Sequence, residues 1–457
     1  MAEKKLSRVL KPFGVLLITL SIITPASSFF IITPGIIAIS GTGALLSYVF
    51  AALLALCLAV LFAELASAFP MSGGHYTMVG KTMGRFSGFL IFVLSLLIPV
   101  FMKALFALSI ANYLGFAIGG RNQIIVGIIA IALVTVIAAV KIKVNAIVTG
   151  VFLGIELFLL LLIAIAGLMN IQHPIGDLLF HPSYIDPATK SLSTVPLGLI
   201  IGTTAAALFS LGGYEYAVYF GEETVDARKN MGGIILIAFL LSVITQVIPL
   251  IGLLLGTSDL HSLLSSTRMI PYFIEQHFGH NMTIIASLVI AATIFNAMIG
   301  CMLGVARLVF STARDCIWFD SANTVLSYIH PKFASPFGAT LFIGVLSSLA
   351  CFLGAHLLIL ISSTLVIAIY FFACIAVIVG RANQSTLIGH YRMPLYPLPP
   401  IVVMLALIYI VYETWFDLTL GRPSLIITGV ILVLAAIYYL LFLSRKKNWQ
   451  LRGPDDA

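Results

Sequence analysis

The sequence predicts an all-α polytopic membrane protein with twelve transmembrane helices, in which helices 1 and 6 are broken and belong to an inverted five-helix repeat. The chain has 457 residues, of which 61% are hydrophobic and only 9% are charged. Soluble domains carry roughly 25% charged residues, so this composition excludes an ordinary cytosolic enzyme. The apolar stretches also lack the period-two alternation that is typical of barrel strands, which leaves helices as the spanning elements.

Each predicted helix is an apolar segment of about the 20 residues that are needed to cross the hydrocarbon core of a bilayer. In chain order the segments are 13–39, 43–69, 84–115, 122–140, 145–170, 195–220, 231–256, 282–310, 337–354, 356–380, 396–415 and 422–444.

Basic residues support this count and orient the chain. With the N-terminus inside, the external loops hold few of the 24 Lys and Arg residues, namely Arg121, Lys190, Arg268 and Arg422, and the membrane holds one, Lys103. Cytoplasmic loops of membrane proteins are enriched in Lys and Arg. A wrong helix count would assign Lys and Arg to both sides of the membrane and remove this enrichment. We therefore expect both termini in the cytoplasm and the protein in the bacterial inner (plasma) membrane.

The same bias bears on partners. The net charge of +7 is explained by membrane-flanking loops, so we expect a lipid bilayer around the chain and no nucleic acid. The five cysteines avoid the predicted external loops, so no disulfide-linked subunit is expected. The nine histidines lack metal-ligand spacing, and no phosphate loop or catalytic constellation is present. We expect no metal, no cofactor and no enzymatic activity.

Two helices contain residues that interrupt a helix near its middle. Helix 1 contains Thr24-Pro25-Ala26-Ser27-Ser28, and helix 6 contains Phe209-Ser210-Leu211-Gly212-Gly213-Tyr214-Glu215. Irregular backbone survives at membrane depth only where it lines a cavity or is buried in protein. The breaks lie five helices apart. Because five is an odd number of crossings, the second unit begins on the opposite side of the membrane and is inverted relative to the first. The pattern indicates an inverted repeat with a substrate site at the midplane.

The predicted organisation follows from this repeat. Residues 13–170 form the first five-helix unit and residues 195–380 form the second. Peripheral helices 11 and 12 occupy 396–444, and residues 1–12 and 445–457 are the cytoplasmic N-terminus and C-terminus.

Several motifs resemble those of the amino acid–polyamine–organocation (APC) transporter superfamily. They are Ala63-Glu64-Leu65, Phe69-Pro70-Met71-Ser72-Gly73-Gly74-His75-Tyr76, Gly84-Arg85-Phe86-Ser87-Gly88-Phe89, the helix-6 segment followed by Glu222-Glu223, and Ala313-Arg314-Asp315. The resemblance covers residues 13–444 and implies an amino acid permease. One departure is that Ser27-Ser28-Phe29 stands where the family has Gly-Ser-Gly, and the bulky Phe29 is expected to narrow the site.

The two breaks then suggest how an α-amino acid binds. Half-helix N-termini suit its carboxylate, which we place near Ser27, Ser28 and Phe29. Half-helix carbonyls suit its ammonium, which we place near Pro25, Phe209 and Ser210. The resemblance makes Phe209 the aromatic residue that closes over the substrate. The remaining residues expected at the substrate are Ala26, Leu211 and Gly213.

Charges inside spans are costly and suggest function. Glu156 in helix 5 is either a proton carrier or a neutral, hydrogen-bonded structural acid, because burial disfavours its charged form. By resemblance, Glu156 stands where some relatives place a lysine that substitutes for sodium. Glu215 looks like the family's glutamate in proton-linked gating, or else it stabilises the break.

Lys103 in helix 3 is expected to face the central site. There it either receives an acidic substrate group or forms an ion pair with Glu215 or Glu156, and the ion pair is the favoured reading. Thr293 and Asn296 give only a weak signal for sodium, so protons are the preferred coupling ion.

The sequence therefore predicts a secondary active transporter of amino acids or related amines that works by alternating access, as a proton-coupled symporter or an exchanger. Three alternatives keep the same fold: a polyamine or organic amine exchanger, a non-transporting amino acid sensor, and a channel. The twin broken helices favour an occluding site over the continuous polar pore of a channel.

Overall fold

The computed structural model describes residues 8–118, 122–140, 142–266, 268–416, 418, 421–446 and 448–451. Several sequence predictions lie outside these residues. They concern residues 1–7 of the predicted N-terminal segment, Arg121 of an external loop, and residues 447 and 452–457 of the predicted C-terminal segment.

The α-helices of the described residues are α1 (Pro12–Ile23), α2 (Pro25–Ile31), α3 (Thr33–Ser40), α4 (Ala44–Ala68), α5 (His75–Met83), α6 (Arg85–Ile118), α7 (Gln123–Ala138), α8 (Ile142–Met169), α9 (Ile175–Phe180), α10 (Leu197–Leu211), α11 (Ala227–Gly256), α12 (Leu260–Ser265), α13 (Met269–Phe278), α14 (His280–Arg314), α15 (Asp320–Leu326), α16 (Phe337–Ala350), α17 (Ala355–Ala382), α18 (Leu398–Phe416) and α19 (Gly421–Tyr438). Short 3₁₀ segments occupy Gly41–Gly43, Tyr214–Glu223, Cys351–Leu353 and Ser385–Ile388, and a π-helical turn occupies Tyr439–Leu443.

The helices are long and apolar enough to make this a multi-pass membrane protein. Among the described residues, nine helical stretches meet the length and hydropathy of a membrane span. The first, Pro12–Ala68, is 57 residues long and contains two of the predicted segments. Two shorter apolar helical stretches, Gln123–Ala138 and Phe337–Leu353, also coincide with predicted segments.

Helix 1 is interrupted where the sequence predicts a break. Thr24 separates α1 from α2 and has left-handed backbone angles, with φ 52° and ψ 60°. This conformation is costly for a β-branched residue. Pro25 at the start of α2 lacks an N–H, so it fits the first position of a helix at no cost in hydrogen bonds. A second interruption at Ile32 separates α2 from α3.

Helix 6 is interrupted at the paired glycines. The α-helix α10 ends at Leu211, Gly212 is extended, and Gly213 has φ +105°. Only glycine adopts that φ freely. The chain then continues as the 3₁₀ segment Tyr214–Glu223, which we call the post-break segment. Helix 6 was predicted as an α-helix on both sides of its break, and the second half is 3₁₀ instead.

One small sheet lies in a segment that the sequence predicts to be a loop. The strands β1 (Ser183–Ile185) and β2 (Leu192–Thr194) pair antiparallel, with Tyr184 opposite Ser193. Strands of three residues are too short to show a period-two pattern, which explains why the sequence did not reveal them.

The core of the described residues is built around the two longest helices. The 35-residue α14 packs against the 34-residue α6. The helix α6 also contacts α17, and α14 also contacts α8 and α1. The last half of α14, from Ala297 to Arg314, is continuously buried. Of these two helices, α14 packs against both halves of the broken helix 1.

Candidate functional site

A small cavity lies where the two helix breaks meet. Its walls include Thr24 and Ser28 of the first break and Gly212 and Gly213 of the second. Its volume is about 70 Å³, which leaves room for only a few water molecules. We call it the central cavity.

Gly213 brings the second break against the first. A Cβ atom at Gly213 would lie 3.1 Å from the Cα atom of Ile23, the last residue of α1. Because the φ of Gly213 is also positive, a side chain here would be both strained and crowded. The glycine is therefore required for the two breaks to share one cavity.

The break of helix 6 is held by Glu215, which also lines the cavity. Its Oε2 accepts a hydrogen bond from the backbone N–H of Gly213 at 3.0 Å, and its Oε1 accepts one from the hydroxyl of Tyr370 at 3.2 Å. The carboxyl group thus links the unwound backbone to α17. This geometry agrees with both predicted roles for Glu215, which are gating and stabilisation of the break.

The remaining cavity wall is mostly apolar. It is formed by side chains of α6 and α17, which are Ile98, Pro99, Met102, Phe106, Val366 and Ile369. Polar groups come from His75 and Tyr216, and the Cys301 thiol of α14 also lines the space. An apolar wall with a few polar groups is typical of small-molecule sites.

Phe209 stands between the central cavity and a second cavity of about 360 Å³. The second cavity runs along α3 and α10 and reaches Thr414 near the end of α18. Both cavities share Phe209 and a few neighbours, which are Ile32, Met102, Phe106, Val366 and Tyr370. These side chains form the partition between the two spaces.

The structure brings only some of the predicted site residues to the central cavity. Those that line it are Ser28, Phe209, Gly213 and Glu215. Other predicted site residues are buried around it without lining it, namely Pro25, Ala26, Ser27, Phe29, Ser210, Leu211, Lys103 and Glu156.

Local contacts explain why these side chains point elsewhere. Phe29 packs edge-on against Phe30 at 5.6 Å and does not narrow the central cavity, contrary to the expectation from sequence. The Ser210 hydroxyl donates to Oε1 of Gln246 at 2.6 Å and lies 2.9 Å from the Tyr48 hydroxyl. Ser210 therefore anchors α10 to α11 and α4.

Lys103 does not form the ion pair that the sequence favoured. Its side chain is fully buried, and its Nζ has no hydrogen-bond partner within the described part of the chain. Glu156 and Glu215 are both engaged with other groups.

Glu156 is fully buried between α8 and α14. Its Oε1 accepts a hydrogen bond from Nδ2 of Asn296 at 2.9 Å, and its carboxyl group also interacts with the backbone of Ala26 just after the break of helix 1. In the described residues, Oε2 of Glu156 and Oδ1 of Asn296 have no hydrogen-bond partner. The acid thus lies beside the first break without lining the central cavity.

Two buried ion pairs join the post-break segment to α14. Arg314 donates from Nη1 and Nη2 to Oε2 and Oε1 of Glu222 at 2.7 and 2.8 Å, and Arg307 binds Glu223. The backbone N–H of Ser72 also donates to Oε1 of Glu222 at 3.1 Å. These contacts unite three of the sequence motifs that are distant along the chain. We call this group the ion-pair cluster.

Sequence reasoning missed His75, Tyr370 and Cys301. His75 begins α5, which lies between predicted spans, so membrane depth gave no reason to place it at the site. Tyr370 and Cys301 are single residues in apolar helices, and only their position on the inward face could have revealed them.

Metal binding has no support in the part of the chain that the structure describes. Within the described ranges, no three or more His, Cys, Asp or Glu side chains are placed together to hold a metal ion.

Comparisons with known proteins agree with this architecture. Residues 10–442 match the family model described as amino acid permease. The branched-chain amino acid permease BcaP of Bacillus subtilis is 25% identical over 98% of this chain and 95% of its own. The large neutral amino acids transporter small subunit 2 of Mus musculus is 27% identical over 62% of this chain.

The coverage differs among these relatives. The chain spans about half the length of the mouse protein, 53%. The methylthioribose transporter of Bacillus subtilis is 23% identical over 91% of both chains. The family and these relatives are transporters, which confirms that the chain is not an enzyme. The match across nearly the whole chain establishes that it belongs to the amino acid permease family, as the motif resemblance predicts.

Proposed function

We propose that the protein is a secondary active transporter that moves amino acids across the membrane by alternating access. The observation that supports this function best is the meeting of two helix breaks, at Thr24 and at Gly212-Gly213, around one cavity. Discontinuous helices offer free N–H and C=O groups to the charged ends of an amino acid. Family membership supports the same function.

The substrate site we propose is the central cavity. Thr24 and Ser28 face it from helix 1, and Gly213 faces it from helix 6. A volume of about 70 Å³ is smaller than the roughly 300 Å³ or more of a typical ligand pocket. An amino acid therefore requires movement of the surrounding side chains, and Phe209 in the partition is the gate we favour.

We further propose twelve crossings in two inverted units with both ends cytoplasmic, in a bacterial inner membrane. The 57-residue stretch Pro12–Ala68 is long enough to cross twice, at about 20 residues a crossing. The shorter helices Gln123–Ala138 and Phe337–Leu353 add two crossings to the nine stretches. The breaks then lie in the first and sixth crossings, which supports the inverted repeat.

For coupling we propose protons, with Glu156 as the carrier and Glu215 as the group that acts on gating. Glu156 lies beside the helix-1 break, and its Oε2 has no donor among the described residues. A proton on that oxygen would remove the cost of an unpaired buried charge. Glu215 joins the unwound backbone to Tyr370, so its protonation state should affect the closure of the central cavity.

Reconstitution into proteoliposomes tests this proposal. Purified protein should catalyse saturable counterflow of a radiolabelled amino acid, and a panel of amino acids, polyamines and methylthioribose, with and without a pH gradient, should identify the substrate and the coupling. Non-saturable flux would indicate a channel. Binding without flux would indicate a sensor, and uptake of polyamines alone would indicate an amine exchanger.

A further inference from the structure

His75 reaches the central cavity from outside the broken helices. It is the first residue of α5, it is 2% exposed, and it lines the cavity together with Tyr216 and Tyr370. Aromatic rings fix the imidazole edge-on, since Phe62 lies 5.3 Å away and Tyr216 lies 5.7 Å away between ring centroids. The ring therefore has little freedom to turn.

The two ring nitrogens of His75 have different surroundings. Nδ1 lies 3.1 Å from the hydroxyl of Tyr219, which is a hydrogen bond. Nε2 has no partner within the described residues. Leaving a buried polar atom without a partner is unfavourable, and because His75 lines the central cavity, a group that enters the cavity is the partner we expect for Nε2.

Among the other polar groups of the cavity, the carboxyl group of Glu215 is already engaged. Glu215 is bonded to Gly213 and to Tyr370, and the break residues present main-chain groups suited to the charged ends of an amino acid. What remains for the substrate's side chain is a mostly apolar space that also holds the imidazole of His75, whose Nε2 has no partner among the described residues, and the phenol ring of Tyr216. That combination fits a short side chain that carries a single uncharged polar group.

We propose that His75 is a specificity residue whose Nε2 hydrogen-bonds the side-chain hydroxyl of a small neutral amino acid such as serine or threonine. This inference rests on the proposed function and deepens it. Burial lowers the pKa of His75 to about 3, so the imidazole is neutral at physiological pH. It recognises the substrate by hydrogen bonding and not by charge, and the preference should be the same at mildly acidic and neutral pH.

Isosteric substrate pairs isolate this hydrogen bond. Threonine and valine differ by a hydroxyl in place of a methyl group, and so do serine and 2-aminobutyrate. Competition against one radiolabelled amino acid in proteoliposomes gives the preference within each pair. A hydrogen bond contributes about 0.5–1.5 kcal/mol, so the wild-type protein should favour the hydroxyl member about two- to twelvefold.

Three substitutions separate the two ring nitrogens. His75→Phe keeps an aromatic ring without nitrogen and should abolish the preference. His75→Gln places an amide near the position of Nε2 and should retain part of it. His75→Asn places an amide near Nδ1, within reach of Tyr219, and should lose the preference as His75→Phe does.

The outcomes test the role of His75 separately from the proposed transport function on which it rests. A wild-type protein that favours neither member of a pair would overturn the inference without any variant. So would an active His75→Phe protein with the wild-type preference, which would mean that only water meets Nε2. A wild-type protein that transports no amino acid would refute the proposed function, and the inference with it.

Discussion

Replacing Glu222 with glutamine should increase the population of an open state, in which the central cavity is accessible from the side where the post-break segment meets the end of α14. The carboxylate accepts two hydrogen bonds from Arg314, at 2.7 and 2.8 Å, and one from the backbone of Ser72. Glutamine keeps one acceptor oxygen, but its amide group presents hydrogens to the second guanidinium nitrogen. One charge-assisted hydrogen bond is lost and a repulsive contact replaces it.

The size of the effect follows from that lost bond. A hydrogen bond to a charged group contributes about 1.5–3 kcal/mol to stability. Each 1.4 kcal/mol changes a population ratio about tenfold, so the open state should gain about ten- to hundredfold if the ion-pair cluster breaks on opening.

Cys301 provides the assay because its thiol lines the central cavity. In a protein whose other four cysteines are replaced by serine, a membrane-impermeant methanethiosulfonate reagent should modify Cys301 faster in inside-out vesicles once Glu222 is changed. The acceleration should approach the population change. In right-side-out vesicles the rate should stay the same or fall.

Glu64 offers a matched control. It is also a buried carboxylate bound to an arginine, Arg381, but this pair joins α4 to α17 and does not bind the post-break segment to α14. Glu64→Gln should leave the modification rate of Cys301 unchanged. Equal rates in the wild-type and Glu222→Gln proteins would refute a gating role for the cluster, and equal acceleration by Glu64→Gln would attribute the effect to general loss of stability.

Three further substitutions test the site. Phe209→Ala joins the central and second cavities and should weaken apparent substrate affinity about tenfold, near the 1.4 kcal/mol of partial burial of such a ring; unchanged affinity in the purified protein would exclude the gate. Gly213→Leu should abolish binding because of the contact with helix 1, whereas Gly233→Leu, where a Cβ meets no atom within 4 Å, should bind normally. A Gly213→Leu protein that binds substrate would place the site elsewhere. Glu156→Gln should retain exchange but lose uptake driven by a pH gradient, and accumulation that persists would leave Glu215 as the remaining carrier.

The positions of the helix breaks could be predicted because they have chemical causes that are local in sequence. Pro25 cannot donate a backbone hydrogen bond, and the pair Gly212-Gly213 weakens a helix wherever it occurs. Such features need no knowledge of distant neighbours.

The composition of the cavity wall could not be predicted to the same extent. Ser210 has the polarity of a substrate ligand, but Gln246, 36 residues away, takes its hydroxyl. Lys103 has the charge of an ion-pair partner, but both candidate acids find other groups on α14 and α17. Which of several polar side chains faces a cavity depends on the rotation of each helix about its axis. Where the surrounding residues are all apolar, the sequence has no amphipathic pattern from which that rotation could be predicted.

Backbone hydrogen bonds between Leu10 and the end of the post-break segment connect the two broken helices. The N–H of Leu10 donates to the carbonyl of Glu223 at 2.8 Å, and the N–H of Val225 donates to the carbonyl of Leu10 at 2.9 Å. Since α1 begins two residues after Leu10, these bonds couple the leading half of one broken helix to the trailing half of the other. We therefore expect the two halves to move together about the breaks. A fluorophore attached near residue 8 would therefore report the swing of the post-break segment without touching the substrate.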